Sequence, residues 1–170
     1  MSTRGKLAFT CGDPAGVGPE IIAAWLSKQG AAAKDIAVIG PLGWLATLDT
    51  PAEKIAVGLE DFSATPGHPS AAGALVAWAA MERAAAGCLS GEFSGVVTGP
   101  VSKERLAAIG YEFPGQTEFF AARWGGEPVM AFILLSLNLK TLIQPRARGL
   151  YGGTSCNACK YYKLTAIIVC

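Results

Sequence analysis

The sequence holds 170 residues with a formal net charge of +1, a length that suits one domain, or one domain with an appendage, and that can bury a sizeable core. The near-neutral charge, with no basic stripe along any predicted helix, gives no reason to expect nucleic acid or an anionic membrane as a partner. No apolar run reaches the roughly 20 residues of a membrane span, and the amino terminus MSTRGKLAFT lacks a signal peptide's apolar core, so a cytoplasmic protein with a small-molecule ligand is expected.

In chain order, Leu7 to Thr10 reads as a short apolar strand, Pro19 to Lys28 as a helix, Ile36 to Ile39 as a strand and Leu42 to Leu48 as a short helix. A Pro- and Gly-rich loop around Thr65 to Ser70 precedes a long Ala-rich helix over Ala72 to Cys88 and a buried strand over Gly95 to Thr98. Two short helices follow, Ser102 to Ile109 capped by Ser102, and Glu118 to Trp124 capped by Thr117. Alternating strands and helices predict an α/β fold built on a parallel sheet.

The last part of the chain differs in composition. Residues 1–132 hold all 13 acidic residues against nine basic ones, whereas residues 133–170 hold five basic residues, no acidic one, three of the five cysteines and three of the four tyrosines. The tail shows no clean helical period, only strand-like pieces around Ile133 to Leu135 and Ala166 to Val169. The sequence therefore divides into residues 1–132 and a divergent tail, 133–170, with the character of a frameshifted or foreign segment.

Two segments place small, turn-forming residues where a strand hands over to a helix, TCGDPAGVGPE at Thr10 to Glu20 and VVTGPVSKERLAAIGYEFPGQTEFF at Val96 to Phe120. In open α/β sheets ligands bind at such handovers. In the first, Gly12, Gly16 and Gly18 permit a tight turn and Pro19 suits a helix start. The spacing matches neither a Walker loop nor the GxGxxG fingerprint. Pro14 removes a backbone donor and Asp13 adds negative charge, so a rigid turn with Asp13 bonding local N–H groups is as compatible with the spacing as a phosphate site. In the second, Lys103 sits in the first turn of a helix, where the macrodipole disfavours a cation unless an anion is near. A solvated surface lysine is the alternative. Gly115, Gln116 and Thr117 form another polar turn at a helix start, with a plain capping role for Thr117 as the alternative.

Together TCGDPAGVGPE, GCLSGEF at Gly87 to Phe93, VTGPVSKE and FPGQTEFF resemble, in order and over roughly residues 7 to 132, the PdxA family of 4-hydroxythreonine-4-phosphate dehydrogenases. The resemblance implies part of an isocitrate/isopropylmalate dehydrogenase-like α/β/α fold, incomplete at the carboxyl-terminal side. It implies NAD-dependent oxidation and decarboxylation of 4-phosphooxy-L-threonine to 3-amino-2-oxopropyl phosphate, in pyridoxal phosphate (vitamin B6) biosynthesis. The implied assembly is a homodimer holding a divalent cation (Zn, Mg or Co) through histidines of both subunits. Substrate contacts carry over to Gln116 and Thr117, which align with a His-Thr pair of the family; Lys103 aligns with the lysine of the family's TGPxxK turn, and its phosphate-facing role follows only from its position at a helix start.

The departures from the family pattern matter. Gln116 stands where the family has histidine; it can still hydrogen-bond a phosphate or carboxylate but cannot carry a proton charge. The family's metal histidines and its NAD contacts lie beyond the region of resemblance, so no metal ligand, cofactor contact or catalytic residue is assigned, and this chain alone is expected to be inactive. His68, the only histidine, reads as a solvated loop residue. Cys156 and Cys159 have a CxxC spacing but lack the further ligands that a structural zinc needs. Cys11 and Cys88 read as small core residues with free thiols. A sheet lacking strands from a second half would expose an unpaired edge. The alternative function is a noncatalytic α/β module binding a small phosphorylated ligand through Lys103, Gln116 and Thr117.

Overall fold

The computed structural model describes residues 5–125, 132–136, 139–143 and 166–169. Seven strands form one sheet, β1 (Lys6–Thr10), β2 (Ile36–Gly40), β3 (Glu53–Ala56), β4 (Phe93–Thr98), β5 (Phe132–Ser136), β6 (Leu139–Ile143) and β7 (Ala166–Val169), in the spatial order β3-β2-β1-β4-β7-β5-β6. The first four are parallel to one another, as the alternation of strands and helices predicts. Antiparallel β7 runs along β4 from Gly95↔Val169 to Thr98↔Ala166 and satisfies the ladder groups there.

Successive strand residues face opposite sides of the sheet, and the chain uses that alternation to build two apolar layers. Ala8, Ala37, Ile39 and Val96 face one layer, while Phe9, Val38 and Val97 face the other. Because both faces are covered, β2 is buried along its whole length and its sequence is uninterrupted by polar residues. The second layer is closed by Ile22 and Leu26 of α1 (Gly18–Leu26) and Leu45 of α2 (Leu42–Thr47). The first is closed by α3 (Ala71–Leu89), α4 (Lys103–Ala108) and α5 (Gln116–Trp124).

Helix α3 lies close to the sheet because its inward face is small, with Ala77, Ala80, Ala84 and Ala85 all buried. Ser70 caps it, accepting a hydrogen bond from the Gly73 backbone N–H at 3.1 Å. Ser102 caps α4 in the same way through the Arg105 N–H at 3.3 Å, as the sequence suggests. At α5 the expectation fails. The cap is Gly115 with no side-chain bond, and Thr117 is the second residue inside the helix. The fully extended Gly115 lets the helix begin two residues earlier than expected, so Thr117 is not available to cap.

Cys11 and Cys88 are both buried, but only Cys11 is a free thiol; Cys88 is disulfide-bonded, which corrects the reading of it as free. Among the described residues no helix is long and apolar enough to cross a membrane.

The contact between α3 and β4 leaves no space at Gly87, where an added Cβ would lie 2.2 Å from the Phe93 ring. Gly87→Ala should gain about 1 kcal/mol of helix propensity and lose more to overpacking against a ring that is 2% exposed. The expected outcome is net destabilisation of about 1–2 kcal/mol, read from the shift in a urea unfolding midpoint.

Candidate functional site

The site begins where β1 and β4 end side by side, with Thr10 opposite Thr98 and both side chains buried. The turns that leave these strands cross at backbone contact. Gly99 N–H donates to the Thr10 carbonyl at 2.9 Å, and Asp13 N–H donates to the Pro100 carbonyl at 2.8 Å. Gly12 adopts φ +71°, and an added Cβ there would lie 2.3 Å from the Pro100 carbonyl oxygen. At Gly99 and Gly18 a Cβ would come within 2.5 and 2.1 Å of the Cys11 carbonyl oxygen. The glycines are thus required by backbone against backbone.

Asp13 settles one open reading. Its Oδ1 accepts from the Ala15 N–H at 3.0 Å, and its carbonyl accepts from the Gly16 N–H at 2.9 Å. The carboxylate, 8% exposed, stabilises the turn itself. Beside it, burial and then the Asp13 charge push the Cys11 thiol up to about 12.

The turn before α5 comes to the same place. Gln116 Nε2 donates to the Gly99 carbonyl at 3.1 Å, tying FPGQT to TGP across 17 residues of sequence. Its Oε1 is buried and, like the Thr10 hydroxyl, has no hydrogen-bond partner among the described residues. Thr117 follows in α5, partly buried. Lys103 opens α4, is exposed, and takes no part in the ion pairs of the described residues, Lys6–Glu53, Arg83–Glu92 and Arg123–Glu82. The sequence reading thus has Gln116 placed on the glycine turn, with Thr117 next to it and Lys103 at the head of the preceding helix.

Two supports were not legible in the sequence. Tyr111 donates its hydroxyl to the Gly115 carbonyl at 3.0 Å and packs its ring against Phe113 and Phe119. Burial, and after it the Glu118 charge, raise its phenol to about 12, so it stays a donor at neutral pH. Arg123 lies over the Phe113 and Phe119 rings and forks onto Glu82, at 2.8 Å from Nε and 2.5 Å from Nη2, holding the Glu82 carboxyl below its usual range.

On the far side of the first turn lies a cleft of about 660 Å³, walled by Pro14, Gly16, Trp44, Glu60, Asp61 and Phe62 among others. Lys103, Gln116 and Thr117 do not line it. His68 sits beyond this wall, exposed in its loop as expected. Among the described residues no three His, Cys, Asp or Glu side chains converge to hold a metal ion. Cys156 and Cys159 lie outside the described residues.

Comparison with known proteins decides the family. The model of the pyridoxal phosphate biosynthetic protein PdxA matches residues 27–144. The chain belongs to the PdxA family. Among curated relatives, 4-hydroxythreonine-4-phosphate dehydrogenase of Zymomonas mobilis is 39% identical over 138 residues, covering 70% of this chain and 41% of that protein. The enzyme of the same name from Erythrobacter litoralis is 37% identical over 141 residues, covering 70% and 42%. The crystal structure of 4-hydroxythreonine-4-phosphate dehydrogenase from Klebsiella pneumoniae superposes with a TM-score of 0.66 at 28% identity, covering 81% of this chain and 50% of that one. This PdxA chain spans less than half the length of these curated relatives. Its α/β fold is that of the PdxA dehydrogenases, of the isocitrate/isopropylmalate dehydrogenase-like class.

Two outcomes test the geometry. Gly12→Ala should cost more than about 2 kcal/mol, since strain and clash act together. Gly67→Ala, also at positive φ but with nothing within 4 Å, should cost only about 1–2 kcal/mol; chemical denaturation of both separates the terms. The neutral Cys11 thiol contributes stability that is whole below pH about 9 and is lost as pH rises towards about 12, because its folded pKa lies above its ordinary 9.0. Iodoacetamide at pH 8 should leave Cys11 unmodified in the folded protein and label it once the chain unfolds, as read by mass spectrometry.

Proposed function

We propose that this chain carries the amino-terminal portion of an NAD-dependent 4-hydroxythreonine-4-phosphate dehydrogenase. The reaction oxidises 4-phosphooxy-L-threonine at its hydroxyl-bearing carbon, a hydride passing to NAD and a proton leaving the hydroxyl. The resulting ketone lies β to the carboxylate, one carbon removed, so the electrons of the breaking C–C bond pass into an enolate as carbon dioxide departs, and protonation of that enolate at carbon gives 3-amino-2-oxopropyl phosphate for pyridoxal phosphate synthesis. The observation that carries the reading is the docking of FPGQT onto TGP at the ends of β1 and β4, which sets Gln116 against Gly99.

In this reading Gln116 and Thr117 contact the bound substrate and Lys103 neutralises its anionic end. NAD accepts the hydride when bound. The described residues do not fit a metal site, so no step is assigned to a cation here, although a divalent metal, a homodimer and a cytoplasmic setting belong to the same proposal. So does the division at residue 132, with the four motifs on its amino-terminal side. The chain alone is proposed to bind substrate without turning it over.

Calorimetry with 4-phosphooxy-L-threonine tests this. Binding should weaken roughly tenfold in Lys103→Ala and severalfold in Thr117→Val, the losses expected for a charged and a neutral hydrogen bond. No binding by the unaltered chain, or equal binding by both variants, would count against it.

A further inference from the structure

The cleft beyond the first glycine turn takes no part in the functional reading above, since Lys103, Gln116 and Thr117 do not line it. Its shape is held by main-chain hydrogen bonds at both ends of the loop that follows β3. Val57 N–H donates to the Gly40 carbonyl at 2.9 Å where the loop leaves the sheet, and Gly67 N–H donates to the Ala15 carbonyl at 2.8 Å where it meets the first turn. Four of the lining residues are prolines, whose φ is fixed before any ligand arrives. The volume of about 660 Å³ falls in the range of small-molecule sites.

The lining carries one sign of charge. Glu20 of α1 and Glu60 and Asp61 of the loop bring three carboxylates to the cleft, and among the described residues no Lys, Arg or His lines it. Glu20 is explained by its place in the first turn of α1, where the macrodipole favours an acid. Glu60 and Asp61 have no such local use. They are neighbours in a loop, both exposed, and neither enters the ion pairs of the described residues. A cleft lined by one sign of charge focuses the field and draws in ligands of the other sign. The carboxylates do not converge into a metal-holding group, which directs the site away from a bare metal ion. Trp44 and Phe62, both partly buried, add aromatic surface to the same walls. Aromatic rings beside carboxylates suit an alkylated ammonium, whose charge is attracted by the rings and whose carbon frame gains from leaving water.

We infer that this cleft takes a small organic cation on an apolar frame and disfavours phosphate. The inference does not depend on the dehydrogenase reading and stands or falls apart from it.

Benzyltrimethylammonium, its uncharged counterpart benzyl alcohol, and inorganic phosphate test the whole 15N-labelled chain. Benzyltrimethylammonium should shift the Trp44 indole N–H signal saturably, benzyl alcohol should bind at least about tenfold more weakly, and phosphate should leave that signal in place. The double variant Glu60→Gln, Asp61→Asn should weaken benzyltrimethylammonium about tenfold, and raising the salt from about 50 to about 300 mM should weaken it severalfold. Lys103→Ala should change it less than twofold. The inference is overturned if the ammonium leaves Trp44 unmoved, if benzyl alcohol binds as well, if phosphate shifts Trp44, or if the double variant keeps full affinity. Both substituted side chains are exposed, so the variant should fold; if it does not, Glu20→Gln decides, with a severalfold loss expected and an unchanged affinity fatal.

Discussion

The close approach of two backbone turns, one after β1 and one after β4, is the contact on which the rest of the site depends. Parallel neighbouring strands bring their carboxyl ends level, but chains leaving two adjacent strands would ordinarily be kept apart by side chains. Here Gly12, Gly18 and Gly99 remove the Cβ atoms that would collide with carbonyl oxygens, and the freed space is filled by main-chain hydrogen bonds through Thr10 and Pro100. Each turn thereby becomes the other's support. Asp13 completes the arrangement from within, satisfying the Ala15 N–H that the turn would otherwise bury without a partner.

A second tier holds the α5 turn onto the first. The hydroxyl of Tyr111 and the amide of Gln116 anchor Gly115 and Gly99 respectively, while the aromatic group of Tyr111, Phe113, Phe119 and Phe120 fixes the helix behind them. Arg123 closes the rear of that group by covering two of its rings and pairing with Glu82 on α3. Since both charged side chains are more than a third exposed, the pair is valued for orientation rather than for strength. The result is a polar cluster whose positions are set by packed elements on one layer of the sheet, with the cleft opening on the other side of the glycine turn.

What was legible in the sequence follows from how locally each feature is encoded. Strands β1, β2 and β4 are short apolar runs because both their faces are buried, and α3 shows itself through its alanine content after the Pro- and Gly-rich loop that ends at Ser70. Strand β3 was not legible: Glu53, Lys54 and Ala56 are exposed and only Ile55 is partly buried, so it reads as loop until β2 is there to pair with it. The start of α5 was misjudged because glycine caps through backbone conformation, leaving no side-chain signature, whereas Thr117 offered a false one. Gln116 could be picked out by motif, yet its bond to Gly99 depends on the tertiary crossing of the turns. The cleft was invisible for a related reason, its walls coming from separated stretches of the first 66 residues.

The glycine crossing also leaves the pocket region unevenly open to change. The crossing itself admits no side chain at Gly12, Gly18 or Gly99, whereas Glu60 and Asp61 on the wall of the neighbouring cleft are exposed and Gly43 of that wall meets its nearest atom only at 3.7 Å. Inherited variation can therefore accumulate on the bank formed by α2 and the loop after β3 while the crossing stays fixed. A lineage adapting to a new ligand has that bank as its palette, and the strand ends as its frame.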